Sequence, residues 1–231
     1  MTREPQNLKA ILSVKFADYS MGNRIKSFRP LLGHGIFTAD GEDWARSRNM
    51  ILPNFVKDQS RILSREEVAT LEGRAPSYDE LQDMKYLKYC INETLRLLPV
   101  VAASSRTSIR DTILPVGGGP DGRAPVFVPK GAIVAYSIYA MHRRQDLYGP
   151  DAEKFRPERW ADLRPGWGYL PFNGGPRICV GQQYALTEAA YVTTRLAQRY
   201  SVLKSRDPGP WVERLAVTMS SFNGAKASLR H

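Results

Sequence analysis

Apolar residues first fall into helical spacing at Leu8, Ile11, Leu12 and Phe16, which predicts a short helix over residues 5–17. A loop holding Gly33, Gly35 and Gly41 follows. The next helix is predicted over 42–49, stopping before Pro53. Trp44 and Arg48 are four apart in it and share a face. Residues 63–73 give a further helical piece. The strongest helix runs over 78–98, apolar at Leu81, Met84, Leu87, Ile91, Leu95 and Leu98 and closed by Pro99. On it Glu93 and Arg96 are three apart and adjacent on one face. β-Branched alternation with Gly/Pro punctuation over 100–113 and 126–139 predicts a small, mostly antiparallel sheet. Residues 150–164 should be an irregular loop and 182–199 a long helix. Segments 215–222 and 225–229 flank Asn223-Gly224, a two-residue hairpin signal. The pattern is mainly α with small β-sheets, an α+β fold, without internal repeats.

At 231 residues the chain is long enough for one domain with a sizeable core. A net charge of +10 suits an anionic membrane surface, nucleic acid or an acidic protein. The basic residues are scattered, with no nucleic-acid motif and no lysine-rich arm, so nucleic acid is set aside. No apolar run approaches the roughly twenty residues a spanning helix needs, and the opening residues do not read as a signal peptide. The two cysteines, Cys90 and Cys179, suggest a reducing compartment. Cys90 lies on the 78–98 helix, where a cysteine serves as a small hydrophobe.

Cys179 sits in Phe172-Asn173-Gly174-Gly175-Pro176-Arg177-Ile178-Cys179-Val180-Gly181, directly before the last long helix. The glycines remove bulk, so a flat ligand can approach the backbone. Arg177 and the positive end of the following helix favour a thiolate. Three chemistries use such a group. A nucleophile would want a histidine, and His34, His142 and His231 stand in no visible relation to it. Structural zinc needs several Cys or His ligands, and only two cysteines exist, Cys90 and Cys179. An axial haem ligand needs one cysteine and a large flat pocket. The plain alternative is a glycine-rich turn with a buried cysteine.

The loop pattern F-x-x-G-x-R-x-C-x-G, met at Phe172, Gly175, Arg177, Cys179 and Gly181, resembles the haem-binding loop of the cytochrome P450 superfamily. An E-x-x-R pair (Glu93, Arg96), a P-E-R-W stretch (Pro157 to Trp160) and a W-x-x-x-R pair (Trp44, Arg48) occur in that family's order. The wording of residues 32–41, 116–122 and 181–188 is similar to the fungal branch that hydroxylates n-alkanes and fatty acids at the chain end.

The resemblance implies haem b ligated by Cys179, with Phe172 and Gly181 shaping the loop and Trp44, Arg48, Arg106 and Arg177 around the cofactor. It implies a structural triad of Glu93, Arg96 and Arg159, and a substrate pocket near Val100, Val101 and Phe222. It also implies NADPH electrons delivered through an acidic flavin-containing reductase, a small apolar substrate, and the cytoplasmic face of the endoplasmic reticulum membrane. Full members carry an N-terminal anchor; a chain without it would be cytoplasmic.

The likeness has a hole. It covers an N-terminal piece, 1–61, and a C-terminal haem-binding half, 63–231, of one truncated domain, with an apparent internal deletion near 61–63. The absent section holds the central helix whose acid–alcohol pair delivers protons to dioxygen. Glu66, Glu67 and Thr70 do not replace it, because they match a short helix away from that face. No residue is therefore assigned as catalytic. Two functions remain: a haem-thiolate monooxygenase, or an inactive remnant or haem-binding fragment lacking the distal half.

Overall fold

The computed structural model describes residues 1–32, 37–45, 65–206, 212–215, 217–222 and 226–230. The chain opens as one helical run in three geometries. α1 (Pro5–Lys9) starts on a proline, whose fixed φ suits a first helical position. It widens into a π turn (Ala10–Val14) and, after Lys15, tightens to a 3-10 turn (Phe16–Asp18). Leu8, Ile11 and Leu12 are all buried. Buried Asn7 ties this run to the sheet region: its side-chain amide donates to the Val116 carbonyl at 2.9 Å and accepts from the Val116 N–H at 3.1 Å.

α2 (Asn23–Leu32) occupies part of what the apolar pattern leaves as loop. Its Ile25 and Phe28 are only half-buried among arginines and lysines, and Pro30 reads as a breaker. Gly33 and Gly35 lie outside the described residues, as does Arg48. Helix α3 (41–45) carries Trp44.

After α4 (Arg65–Ala69), the helix expected over 78–98 is two helices, α5 (Tyr78–Gln82) and α6 (Lys85–Leu97). A Ser77/Glu80 capping box starts α5. Met84 is extended between them, which lets Leu81, Met84 and Leu87 enter one apolar cluster with Val68, Leu71 and Ala190. α6 stops at Leu98, which has left the α region, disfavoured ahead of Pro99, for φ/ψ −124°/64°.

A three-stranded antiparallel sheet orders β1 (Tyr19–Ser20), β2 (Ala103–Ser108) and β5 (Ile133–Ser137). β3 (Thr112–Gly118) pairs β4 (Ala124–Val128). Short helices α7 (Ile138–Met141) and α8 (Gln145–Tyr148) lead into the expected irregular segment, which holds one 3-10 turn (Pro157–Ala161). α9 (Gln182–Arg199) has the predicted bounds.

The hairpin expected about Asn223-Gly224 is not the pairing found. β8 (Met219–Ser221) pairs β7 (Glu213–Leu215), and β9 (Ala227–Arg230) pairs β6 (Val202–Ser205). Each flanking strand has a partner from elsewhere in the chain, so ladder pairing overrides the local turn signal; residues 223–225 lie outside the described set. The main apolar core joins Leu8, Ile11 and Leu12 to Val134, Tyr136, Met141 and Leu170. The N-terminal segment and the entrance to the cysteine loop thus share one core.

Candidate functional site

The cysteine loop is pinned at both ends. At its entrance the Leu170 N–H donates to His142 Nε2 at 2.9 Å, and the Asn173 N–H to the Leu170 carbonyl at 3.1 Å. The Cys179 N–H closes the loop onto the Phe172 carbonyl at 3.0 Å. Between them Gly175–Arg177 form a 3-10 turn. Gly175 is a required glycine: its φ is +70°, and a Cβ there would lie 1.8 Å from the Leu12 carbonyl oxygen. Gly181 caps α9 at φ −86°, a conformation open to any residue. Cys179 is a free, exposed thiol. Cys90 is half-buried on α6, and burial, with Glu158 and Glu67 nearby, pushes its thiol up.

Basic side chains collect beside this loop. Arg177 donates to the Ala39 carbonyl at 2.8 Å and to Asp40 Oδ1 at 2.6 Å, and its guanidinium lies 4.5 Å over the Trp44 ring. Asp40 also accepts the Met21 N–H at 3.1 Å. Burial pulls the Arg177 guanidinium down to about 10; Asp40 opposes this, and the charges of Arg106 and Arg24 add to it. Trp44 packs against Phe16 with ring centres 5.7 Å apart. Arg106, on β2, is buried. It donates through Nη1 to the Ser105 carbonyl at 2.8 Å, while its buried Nε has no partner among the described residues.

Behind the loop the structure brings Glu93, Arg96 and Arg159 together. Glu93 and Arg96 are fully buried and bidentate, at 2.8 Å for both bonds. Arg159 Nε donates to Glu93 Oε1 at 2.9 Å, the Arg156 N–H to the same oxygen at 2.8 Å, and Trp160 Nε1 to Oε2 at 3.0 Å. Burial alone would raise this carboxyl; the bonds from Arg96, Arg156 and Arg159 outweigh it and hold the group at about 2. Arg96 also donates to the carbonyls of His142, Ala152 and Lys154, and Arg159 to those of Tyr148, Asp151 and Lys154. One carboxylate and two guanidiniums thereby fasten α6 to residues 142–160, and His142 carries the fastening to the cysteine loop.

Of the residues expected near substrate, Val100 is exposed and its carbonyl accepts the Met219 N–H at 2.7 Å, so β8 lies beside it. Val101 is half-buried, and Phe222, just after β8, is exposed. Glu67 and Thr70 lie at α4, whose Val68 packs in the cluster with Ala190 of α9. Arg24 and Asp40 were not singled out from sequence, and His142, read there as standing in no visible relation to Cys179, is tied to the entrance of its loop through the Leu170 N–H.

A thiol displayed on a pinned loop, flanked by arginines, defines a site that can hold a soft metal and an anionic group together. The family model for cytochrome P450 matches residues 59–223. The chain belongs to the cytochrome P450 family, a family of haem proteins, and its helices and small antiparallel sheets fit a shortened form of that fold.

Among curated relatives it is 32% identical over 408 positions to cytochrome P450 monooxygenase himC of Aspergillus japonicus, covering all of this chain and 74% of the relative. It is 59% identical over 160 residues to cytochrome P450 monooxygenase fsdH of Fusarium heterosporum, covering 69% of this chain and 28% of that one. With cytochrome P450 52A6 of Candida tropicalis it shares 49% over 168 residues, 71% of this chain and 30% of the relative. In these last two alignments the chain spans less than a third of its relative. In the first, 408 aligned positions against a chain of 231 residues leave 177 positions without a counterpart. No helix among the described residues is long and apolar enough to cross a membrane.

Proposed function

We propose that the chain holds haem b through the Cys179 thiolate, with Trp44, Arg48, Arg106 and Arg177 toward the propionates and Phe172 and Gly181 shaping the loop. In this reading it is the haem-bearing part of a monooxygenase that hydroxylates long-chain alkanes or fatty acids, using O2 and electrons from NADPH passed through a reductase. The observation that carries it is the buried Nε of Arg106, without a partner among the described residues, in a basic cluster with Arg177 of the loop that displays the exposed Cys179 thiol. A buried donor without an acceptor is costly, and a carboxylate is the acceptor a guanidinium fits best. Haem would supply oxygen activation, with the thiolate ligand favouring O–O cleavage. The chain's own residues would position it: Arg177 and Trp44 at one edge, Arg106 from β2, and the Gly175 turn keeping the loop backbone low. The alkane and fatty-acid class rests on the likeness of residues 32–41, 116–122 and 181–188, with similarity to cytochrome P450 52A6 in support. Val100, Val101 and Phe222 are the substrate contacts this reading assigns, and the endoplasmic reticulum surface is its location.

A second reading, of a chain that binds haem and turns over poorly or not at all, is favoured by the 177 positions of the relative that have no counterpart. They would include the central helix and its proton-delivering pair, a contribution of about 10²- to 10⁴-fold. The spectrum of the reduced, carbon-monoxide-treated chain tests the ligand. A thiolate-type band is expected, lost in Cys179→Ala and kept in Cys90→Ala; a band that survives Cys179→Ala overturns the assignment. Hydroxylation of labelled fatty acid with NADPH and reductase decides between the readings, and coupled turnover equal to an intact relative would remove the second.

A further inference from the structure

α9 buries its less apolar face. Toward the rest of the chain it turns Thr187, Ala190 and Thr194, and Ala190 joins the apolar cluster of Leu71, Leu81 and Leu87. Outward it turns the bulkier apolar groups: Tyr184 is 53% exposed and Val192 48%, with Tyr191 and Leu196 open as well. The outward residues form two neighbouring rows at helical spacing. One row is Ala185, Ala189, Val192 and Leu196, the other Tyr184, Glu188, Tyr191 and Arg195, and all eight are exposed. A helix that packs on one side ordinarily turns its apolar stripe inward, so a face of this kind is made to be covered. Among the described residues nothing covers it, and 177 positions of one relative have no counterpart here to do so.

We infer that this face is the contact of a symmetric dimer, in which a second copy of the chain lays its α9 antiparallel on the first. Two features favour a match with itself. Size changes along the first row, small at Ala185 and Ala189 and large at Val192 and Leu196. Reversing one copy sets Leu196 over the partner's Ala185 and Val192 over the partner's Ala189, on both sides of the two-fold. A parallel pairing would set large on large and leave a gap at the alanine end. Charge changes along the second row in the same sense. Glu188 and Arg195 are seven residues apart, and among the described residues neither has an ion-pair partner; Arg195 donates to the Gly73 carbonyl at 3.4 Å and to Gln198 Oε1 at 2.7 Å. The antiparallel pairing brings Glu188 beside the partner's Arg195 twice over, since matching flanks of the two helices meet. Area sets the strength. A stripe along one 18-residue helix offers a few hundred Å² per copy, below the roughly 800 Å² per partner of a standard interface, so the dimer is weak, with Kd no tighter than about 1 μM. Each cysteine loop ends where its α9 begins, so the two loops stand at opposite ends of the pair. The contact is independent of the haem reading above.

The test is sedimentation equilibrium of the full chain from about 1 to about 500 μM, a range that spans a weak dimer, with circular dichroism of every variant to show that helix content is kept. A monomer–dimer equilibrium is expected. Val192→Asp, which places a charge in the contact and leaves the buried face of α9 alone, should weaken it about tenfold or more. Glu188→Arg and Arg195→Glu should each weaken it about tenfold, because either change sets like charges together at two symmetric places. The double exchange Glu188→Arg with Arg195→Glu should bring association back to within about threefold of wild type. A wild-type chain that is monomeric over the whole range overturns the inference, as does one that associates only with an added polypeptide carrying the relative's unmatched section. Growth into larger species, or a folded double exchange that stays as weak as the single changes, places the contact elsewhere and overturns it as well.

Discussion

Replacing Glu93 by glutamine would leave two buried guanidiniums facing a neutral amide of the same size. The carboxylate accepts five hydrogen bonds, from Arg96 twice, Arg159, the Arg156 backbone and Trp160. Glutamine keeps one acceptor oxygen and adds two donors where only donors point, so at least two bonds become repulsive contacts. Breaking one side of a buried ion pair costs about 3–5 kcal/mol. The acidity points the same way: a carboxyl held at about 2 instead of 4.5 contributes on the order of 3 kcal/mol at neutral pH. The folded state holds this carboxyl below its unfolded value, so the unfolded chain binds more protons between those values. The stabilisation is complete above about 4.5 and is lost as pH falls toward 2. Urea denaturation at pH 7, followed by circular dichroism, should show Glu93→Gln less stable by about 3–4 kcal/mol. The gap between variant and wild type should narrow as pH is lowered through 4.5. A variant within about 1 kcal/mol of wild type at pH 7, or a gap that stays constant with pH, would refute the account of this network.

Two further perturbations read other parts of the same scaffold. His142 is fully buried, accepts the Leu170 N–H on Nε2, and faces the Arg96 carbonyl with Nδ1 at 3.2 Å, so the ring is neutral with its proton on Nδ1. Burial holds it at about 3, with the Arg96 and Arg143 charges adding to the effect. Since the unfolded ring titrates near 6.5, stability should fall as pH drops below about 6.5. The slope between pH 6.5 and 4.5, above the range of Glu93, should flatten in His142→Gln; an unaltered slope assigns it to other groups. Gly175→Ala forces a side chain into positive φ and against the Leu12 carbonyl, for a cost on the order of 3 kcal/mol or more. Gly166→Ala, at φ +53° with nothing within 4 Å, should cost only the strain of about 1 kcal/mol. Equal melting points for the two variants would show that the Leu12 contact contributes nothing.

What could be read from the residues, and what could not, follows from the range over which each signal acts. The Glu93–Arg96 pair, the bounds of α9 and the burial of Leu8, Ile11 and Leu12 depend on spacing of three or four residues, which one helix imposes on its own sequence. α2 was hidden because its apolar residues are few and Arg24 is held by Ser104, eighty residues along the chain. The Asn223-Gly224 signal failed because β8 and β9 are each claimed by a strand that no local pattern connects to them. The site divides in the same way. Cys179, Arg177 and Gly175 lie within five residues and announce themselves, whereas Asp40 and His142 gain their roles only when chain segments meet. That meeting also explains how the loop keeps its shape in a chain so much shorter than its relatives. Leu12 braces Gly175, Asp40 and Trp44 hold Arg177, and His142 ties Leu170 to the end of α6 through the Arg96 carbonyl. Every one of these supports comes from residues 1–45 or 93–170. None depends on the positions of the relative that lack a counterpart here, so the described residues suffice to hold the cysteine loop in this shape.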